Sequence, residues 1–268
     1  MQNRSMPDAA TFSFGENWKK FARLLNDTKI DQATSSLTES FAPFRISGET
    51  FLDVGCGSGL FSLAAQRTGA SRITSVDIDP ASVECTEYVR SRYGTEGDWD
   101  ITKGSALDRE FLATLPRSSR VYSWGVLHHT GSMWEAVANV LALVNPGGAL
   151  CIALYVAPNR AELHIRLKRL YNRSGRLFRS LMRAAYAGTL LFLLVLNRRN
   201  PIRYVREYGA GSRGMSFWRD IEDWLGGFPC EFSEPSEVTH FLEARGFETI
   251  RVSRVKPGGC AEYLFRKV

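Results

Sequence analysis

FLDVGCGSGLFSLAA, Phe51 to Ala65, is the stretch whose reading decides the fold. It begins as an apolar strand, Phe51-Leu52-Asp53-Val54. It breaks into the turn Gly55-Cys56-Gly57-Ser58-Gly59, then resumes with Leu60, Phe61, Leu63 and Ala64 at helical spacing. A strand that passes through a glycine turn into a helix offers backbone N–H groups to a ligand at the carboxyl end of a parallel sheet. The glycines permit positive φ and a close approach of that ligand to the backbone.

The next apolar run is ITSVDID, with Asp77 eighteen residues beyond Gly59. That spacing sets a carboxylate at the end of the neighbouring strand, where it accepts hydrogen bonds from a ribose. A nicotinamide dinucleotide site shares the pattern but needs open room for its pyrophosphate. Cys56 and Ser58 between the glycines fit a small amino-acid carboxylate better.

Further strands are expected at 72–77, near 99–102, at 120–127 and after Asn145-Pro146-Gly147-Gly148, which reads as a turn launching ALCIALYV. Helices are expected over 13–28, with Trp18, Phe21, Leu24 and Leu25 on one face, and over 30–42, 131–144 and 236–246. Asp79-Pro80 reads as a helix cap followed by proline in the first turn. Strands near 247–256 and 260–267 close the chain.

FGENW (14–18), FLDVGCGSGLFSLAA, VYSWGVLHHTGSMW (121–134), the Asn-Pro-Gly-Gly turn and RGMSFWRDIEDWLGGFP (213–229) together resemble the class I S-adenosylmethionine-dependent methyltransferases, in particular the group of ubiquinone-biosynthesis O-methyltransferases. The resemblance implies an α/β, Rossmann-like, seven-stranded and mostly parallel sheet whose last strand is antiparallel. It divides the chain into an N-terminal helical lid over 1–47, a core over 48–158 and 231–268, and a helical insertion over 159–230.

The same resemblance implies that Gly55, Cys56, Gly57 and Gly59 shape the loop around the methionine part of S-adenosylmethionine. Asp53 orients that loop or reaches the amine through water. Asp77 holds the ribose, Ile78 flanks the adenine, and the turn at Ser105 and Ala106 contacts it. Relatives commonly carry Asp where Ser105 stands, and an acidic residue where Ser118, Ser119 and Arg120 open the fourth strand. The carbonyl near Trp124 receives the cofactor's amino group.

The acceptor is expected at the carboxyl edge of the fourth strand, where His128 and His129 follow directly. Methyl transfer is a displacement at carbon, so alignment supplies most of the rate, and an oxygen acceptor gains from a base. Histidine titrates near neutral pH, which makes the pair catalytic candidates; the alternative is one packed and one solvated ring. His164 and His240 read as surface residues. Trp18, Arg213, Trp218, Asp220 and Trp224 are the expected acceptor contacts, with a helical core stripe as the alternative for the last group. The Asp/Asn-Pro-Pro-aromatic signature of amino-methylating DNA enzymes is not present after the fourth strand. Pro229-Cys230 lies too far downstream for a cytosine C5 nucleophile.

Charge is unevenly spread. Residues 159–214 carry thirteen Lys/Arg against two acids, a net of +11, whereas the chain as a whole carries +6 and the remainder therefore −5. Arginines interleave with Leu163, Leu167, Leu170, Leu177 and Leu181 over 160–186, and AAYAGTLLFLLVL (184–196) follows, bounded by Arg183 and Arg198-Arg199. Thirteen apolar residues fall short of the roughly 20 that cross a bilayer. The segment suits peripheral contact with a membrane surface through 160–199, a cap over the enzyme, a dimer contact or RNA.

The expected partner is a small or lipid-like acceptor: a quinone precursor, a lipid or a glycan. RNA is the alternative acceptor, DNA is disfavoured, and a non-catalytic S-adenosylmethionine-binding protein is the alternative of another class. Five cysteines without a C-x-x-C pair imply neither a disulfide framework nor a metal site. The first eighteen residues lack the apolar core of a signal peptide. The expected location is cytoplasmic, with peripheral attachment to the membrane as the alternative.

Overall fold

The computed structural model describes residues 15–211, 217–253, 255 and 259–268. Arg213 lies outside them.

Seven strands form one sheet: β1 (Thr50–Val54), β2 (Arg72–Asp77), β3 (Asp98–Lys103), β4 (Ser118–Trp124), β5 (Val144–Tyr155), β6 (Phe247–Ser253) and β7 (Cys260–Lys267). Their order is β3-β2-β1-β4-β5-β7-β6, and only β7 runs antiparallel to its neighbours. The order of strand addition switches sides between the parallel neighbours β1 and β4, so a crevice opens at their carboxyl ends, the usual ligand position in such sheets.

Side chains alternate across the sheet as strand geometry requires. Leu52 and Val54 of β1, Val121 of β4 and Leu150 and Ile152 of β5 enter one core, with α6 (Met133–Leu141) and α11 (Pro235–Glu243). Phe51, Tyr122 and Cys151 enter the other, with α2 (Asp27–Phe41), α3 (Leu60–Arg67) and α4 (Pro80–Tyr93). There Phe51 and Phe61 both stack on Tyr122, with ring centres 6.2 and 5.2 Å apart.

The N-terminal expectation divides in two. The helix read over 13–28 is α1 (Gly15–Ala22), which stops before Leu24; that side chain is exposed. Asn26 then caps α2 by accepting from the Lys29 N–H. α2 buries Ile30, Ala33, Leu37 and Phe41 in the sheet's own core, so it is a layer of the fold rather than a lid. α1 is clamped to α4 by the Lys19–Glu84 ion pair at 2.7 Å.

Two further corrections are local. Strand β4 ends at Trp124, and residues 127–129 form a 3-10 turn rather than continuing the strand. The Asn145–Gly148 turn sits inside β5: Ser118 pairs with Val144 and Arg120 with Ala149, so the glycines bulge out of a strand that has already begun.

Between β5 and α11 stand four helices: α7 (Ala161–Arg173), α8 (Arg176–Leu196), α9 (Pro201–Gly211) and α10 (Phe217–Gly226). The expected boundary near 184 is absent. The chain breaks at Ser174-Gly175 instead, and the arginine-rich and apolar segments form one helix of 21 residues. These helices own a small core of Tyr171, Ala187, Phe217, Ile221 and Leu225.

Candidate active site

The glycine loop takes the conformation its composition predicts. Gly55, Gly57 and Gly59 all have positive φ, at 80°, 53° and 76°. A Cβ on Gly55 would lie 2.4 Å from the Val126 side chain, so the close approach needs glycine there. Gly59 is the left-handed entry to α3. Trp18 of α1 lies over the loop, its indole nitrogen 2.9 Å from where a Gly57 Cβ would stand. Trp18 thus sits at the donor loop, not in the acceptor wall expected of it.

Asp77 closes the loop from below. One carboxylate oxygen accepts the Gly57 N–H at 2.9 Å and the other accepts the Asp79 N–H at 2.9 Å. Burial raises its pKa, and those two donors oppose the shift. The Ile78 N–H also contributes, and a carboxylate with about four acceptor positions retains capacity beyond these donors. Ile78 follows, 64 % exposed, an apolar face beside Asp77. Asp79 caps α4 by accepting from the Ala81 N–H.

Asp53 points away from the loop. Even spacing from Phe51 puts it on the α3 side, where it is buried and accepts a 2.6 Å hydrogen bond from the Ser62 hydroxyl. Ser62 also bonds Ser75 at 2.7 Å, and the Trp99 indole N–H donates to Ser75. The chain of contacts ties β1, α3, β2 and β3 together. Burial pushes the Asp53 carboxyl up to about 7; the Ser62 bond opposes this and the Asp77 charge adds to it. Asp53 therefore anchors the loop's foundations. Cys56 is likewise packed inward, its sulfur 3.3 Å from the Thr86 hydroxyl and its pKa raised by burial.

At the adenine side, the Ser105 hydroxyl accepts the Leu107 N–H, and the Ala106 carbonyl accepts from Asn139 at 3.0 Å. Those polar groups are turned to the fold. Trp124 ends β4, its indole donating to Glu262 at 2.8 Å. Arg120 is buried at the opposite end of that strand, donating to the Arg45 and Ser119 carbonyls.

His128 and His129 stand side by side, ring centres 4.3 Å apart. His128 lies 3.9 Å from the Tyr155 ring at the end of β5. His129 Nδ1 is 2.7 Å from the Pro229 carbonyl. The chain leaving α10 covers the pair: the Glu231 N–H donates to the His128 carbonyl, the Glu231 carboxylate accepts from the Met133 N–H, and the Ser233 N–H donates to the Tyr155 carbonyl. Gly227 makes this cover possible, since a Cβ there would meet the His129 ring at 2.7 Å.

Burial corrects the expectation that the pair titrates near neutrality. Burial first, then the neighbouring His129 and Lys168, hold His128 well below its ordinary value. His129 is pushed down to about 3 by burial, against the Pro229 carbonyl. Both rings are neutral at pH 7.

Composition gave no sign of Lys168. It is 1 % exposed on α7, donates to the Trp224 carbonyl, and lies 4.9 Å from the Trp224 ring and 5.3 Å from Tyr155. Burial lowers its pKa to about 8. Trp224 stacks on Tyr186 at 4.6 Å and meets the His164 ring edge-on at 5.4 Å. His164 thus belongs to this cluster rather than to the surface, while His240 is exposed. Trp224, Lys168, Tyr155 and the two histidines form one wall at the carboxyl edge of β4 and β5, with Lys168 and His128 buried and the other three partly buried. Trp218 and Asp220 do not join it. Trp218 is 57 % exposed against Phe217, and Asp220 accepts from Tyr208 at 2.7 Å inside the insertion.

This strand order, with a glycine loop after β1 and a carboxylate ending β2, defines a class I S-adenosylmethionine-dependent methyltransferase. The chain belongs to the methyltransferase-domain family, whose profile matches residues 27–252. It is similar to the ribosomal protein L11 methyltransferase of Thiobacillus denitrificans, 34 % identical over 111 residues that cover 37 % of this chain and 38 % of that protein. It is also similar to the tRNA U34 carboxymethyltransferase of Methylococcus capsulatus, 28 % identical over 43 % of this chain and 35 % of that protein. The chain spans about a fifth to two fifths of the length of such curated relatives. In fold it resembles the magnesium protoporphyrin IX methyltransferase of Synechocystis solved with bound SAH. That match has a TM-score of 0.51 and 14 % identity, covering 93 % of this chain and 86 % of that one.

Proposed function

We propose that the chain transfers the methyl group of S-adenosylmethionine to an oxygen of a small or lipid-like acceptor, of the quinone-precursor, lipid or glycan kind. The observation that supports this reading is the aromatic wall at the carboxyl edge of β4 and β5, where Tyr155 and Trp224 flank Lys168 and Tyr186 stacks on Trp224. Flat rings and one cation suit a ring-bearing or anionic acceptor.

In the reaction the acceptor oxygen displaces a neutral sulfide, which needs no proton. The protein's tasks are to fix the sulfonium over the glycine loop, exclude water and receive the acceptor's proton. His128 and His129, expected from sequence to receive it, are poor proton acceptors once buried. Lys168, with a pKa near the working pH, is the better candidate base.

The test is calorimetry with S-adenosylmethionine, then transfer of a tritiated methyl group into lipid extract, quinol precursors, sugar nucleotides and tRNA. Label in an organic-soluble or sugar pool supports the reading. Label in tRNA alone replaces it with an RNA acceptor, which the +11 segment at 159–214 would serve. Cofactor binding without transfer to any pool identifies a non-catalytic binding protein.

A further inference from the structure

α8 is anchored on one side and bare on the other. Its inner face is held by Arg183, paired with Glu222 at 3.2 Å, and by Arg179, which donates to the Tyr171 and Asn172 carbonyls. Of its 21 residues only Ala187 is buried. At 100° per residue, Leu177, Leu181, Ala184, Gly188, Phe192 and Val195 fall within a sector of about 80°, and Leu196 extends it. Phe192 is 61 % exposed, and Leu177, Leu181, Val195 and Leu196 are also exposed. Ile202, at the start of α9, is 71 % exposed. No charge interrupts this stripe.

Exposed arginines flank it along the chain instead. Arg166, Arg169, Arg173 and Arg176 precede it, and Arg198, Arg199, Arg203 and Arg206 follow. On the side of α8 away from the stripe, facing α9, a groove of about 320 Å³ is lined by Leu190, Leu193 and Leu194 together with Asn197, Arg199 and Tyr204; it is not part of the exposed stripe.

We infer that this face docks in the plane of an anionic bilayer leaflet, with the apolar stripe at the acyl boundary and the arginines among the headgroups. It goes beyond the proposed reaction and does not depend on turnover. By length and composition the helix is able to cross a membrane. Its charge-free part, Ala184–Leu196, however, covers only about 20 Å at about 1.5 Å per residue, against about 30 Å of hydrocarbon. Upright insertion would also pull Arg183 from Glu222 and strip α8 from α10. A second copy of the chain on this face would bring two segments of +11 together. RNA would engage the arginines and leave the apolar stripe in water. An anionic leaflet satisfies both.

Flotation of the full chain with phosphatidylcholine vesicles, and with vesicles that also contain phosphatidylglycerol, tests the inference. The mixed vesicles should bind at least about tenfold more tightly. Leu181→Glu/Phe192→Glu, at exposed positions, should reduce that binding by at least about tenfold. Arg198→Ser/Arg199→Ser should reduce it about tenfold or more on the mixed vesicles alone. S-adenosylmethionine calorimetry on each variant reports the fold and the methyltransferase reading separately. The inference is overturned if the wild-type chain binds neither vesicle or if the Glu variant binds as the wild type does. Sedimentation showing a stable dimer that the same variant dissociates also overturns it.

Discussion

Replacing Asp77 with alanine separates two roles that the structure gives one carboxylate. In the unliganded protein it accepts the Gly57 and Asp79 N–H groups, both at 2.9 Å. Alanine leaves two half-buried donors without that acceptor, at about 1 kcal/mol each. The thermal midpoint should then fall by about 4–8 °C. In the complex the lost ribose contacts are charge-assisted, worth about 1.5–3 kcal/mol each before desolvation. A net loss of about 3 kcal/mol weakens cofactor binding by about a hundredfold or more. Calorimetry with S-adenosylhomocysteine measures the second quantity and a melt without ligand the first. If the melting point falls while affinity stays within about threefold, Asp77 braces the loop and does not hold the ribose.

Asp53→Asn tests the buried carboxyl. Its folded pKa is about 7 against an ordinary 3.8, so the folded state keeps a proton that the unfolded chain has released. The penalty grows as pH rises from about 4 to about 7 and then levels off, reaching at most about 4 kcal/mol. The variant should match the wild type at pH 4 and be more stable at pH 8; parallel melting curves across that range refute the assignment. Lys168→Met should abolish any rise of turnover through about pH 8 while cofactor affinity holds; persistence of that limb means another group takes the proton. Gly55→Ala, with a Cβ 2.4 Å from Val126 and φ at 80°, should cost about 2 kcal/mol or more and weaken cofactor binding. An unchanged melting point would show that the loop relaxes.

The sequence made the donor half legible because its signals are short-range. Glycines adjoin a strand and a helix, Asp77 ends the next apolar run, and each strand shows its own period. The order of strands followed from the resemblance those motifs carry. The misreadings have physical causes. Leu24 and Leu25 continue the apolar spacing of α1, although Asn26 is a better helix cap than a helix interior. Asn145–Gly148 has turn chemistry, but a bulge uses the same residues. The acceptor half is long-range. His128 is covered by residues about a hundred positions away, and Lys168, beside Arg169, reads as surface until α10 folds over it. Asp53 was within reach: period two from Phe51, with Ser62 nine residues on in the first turn of α3, already points it at α3.

The hydrogen bonds that tie residues 229–233 to His128, His129, Met133 and Tyr155 form a seam that belongs to neither the sheet nor the helices it joins. Such a seam makes the chain modular. Residues 161–226 can diverge while the donor machinery stays unchanged, provided that Gly227 and the strand after it are kept. A lineage with this seam can change what it methylates, or which surface it visits, by exchanging one cassette.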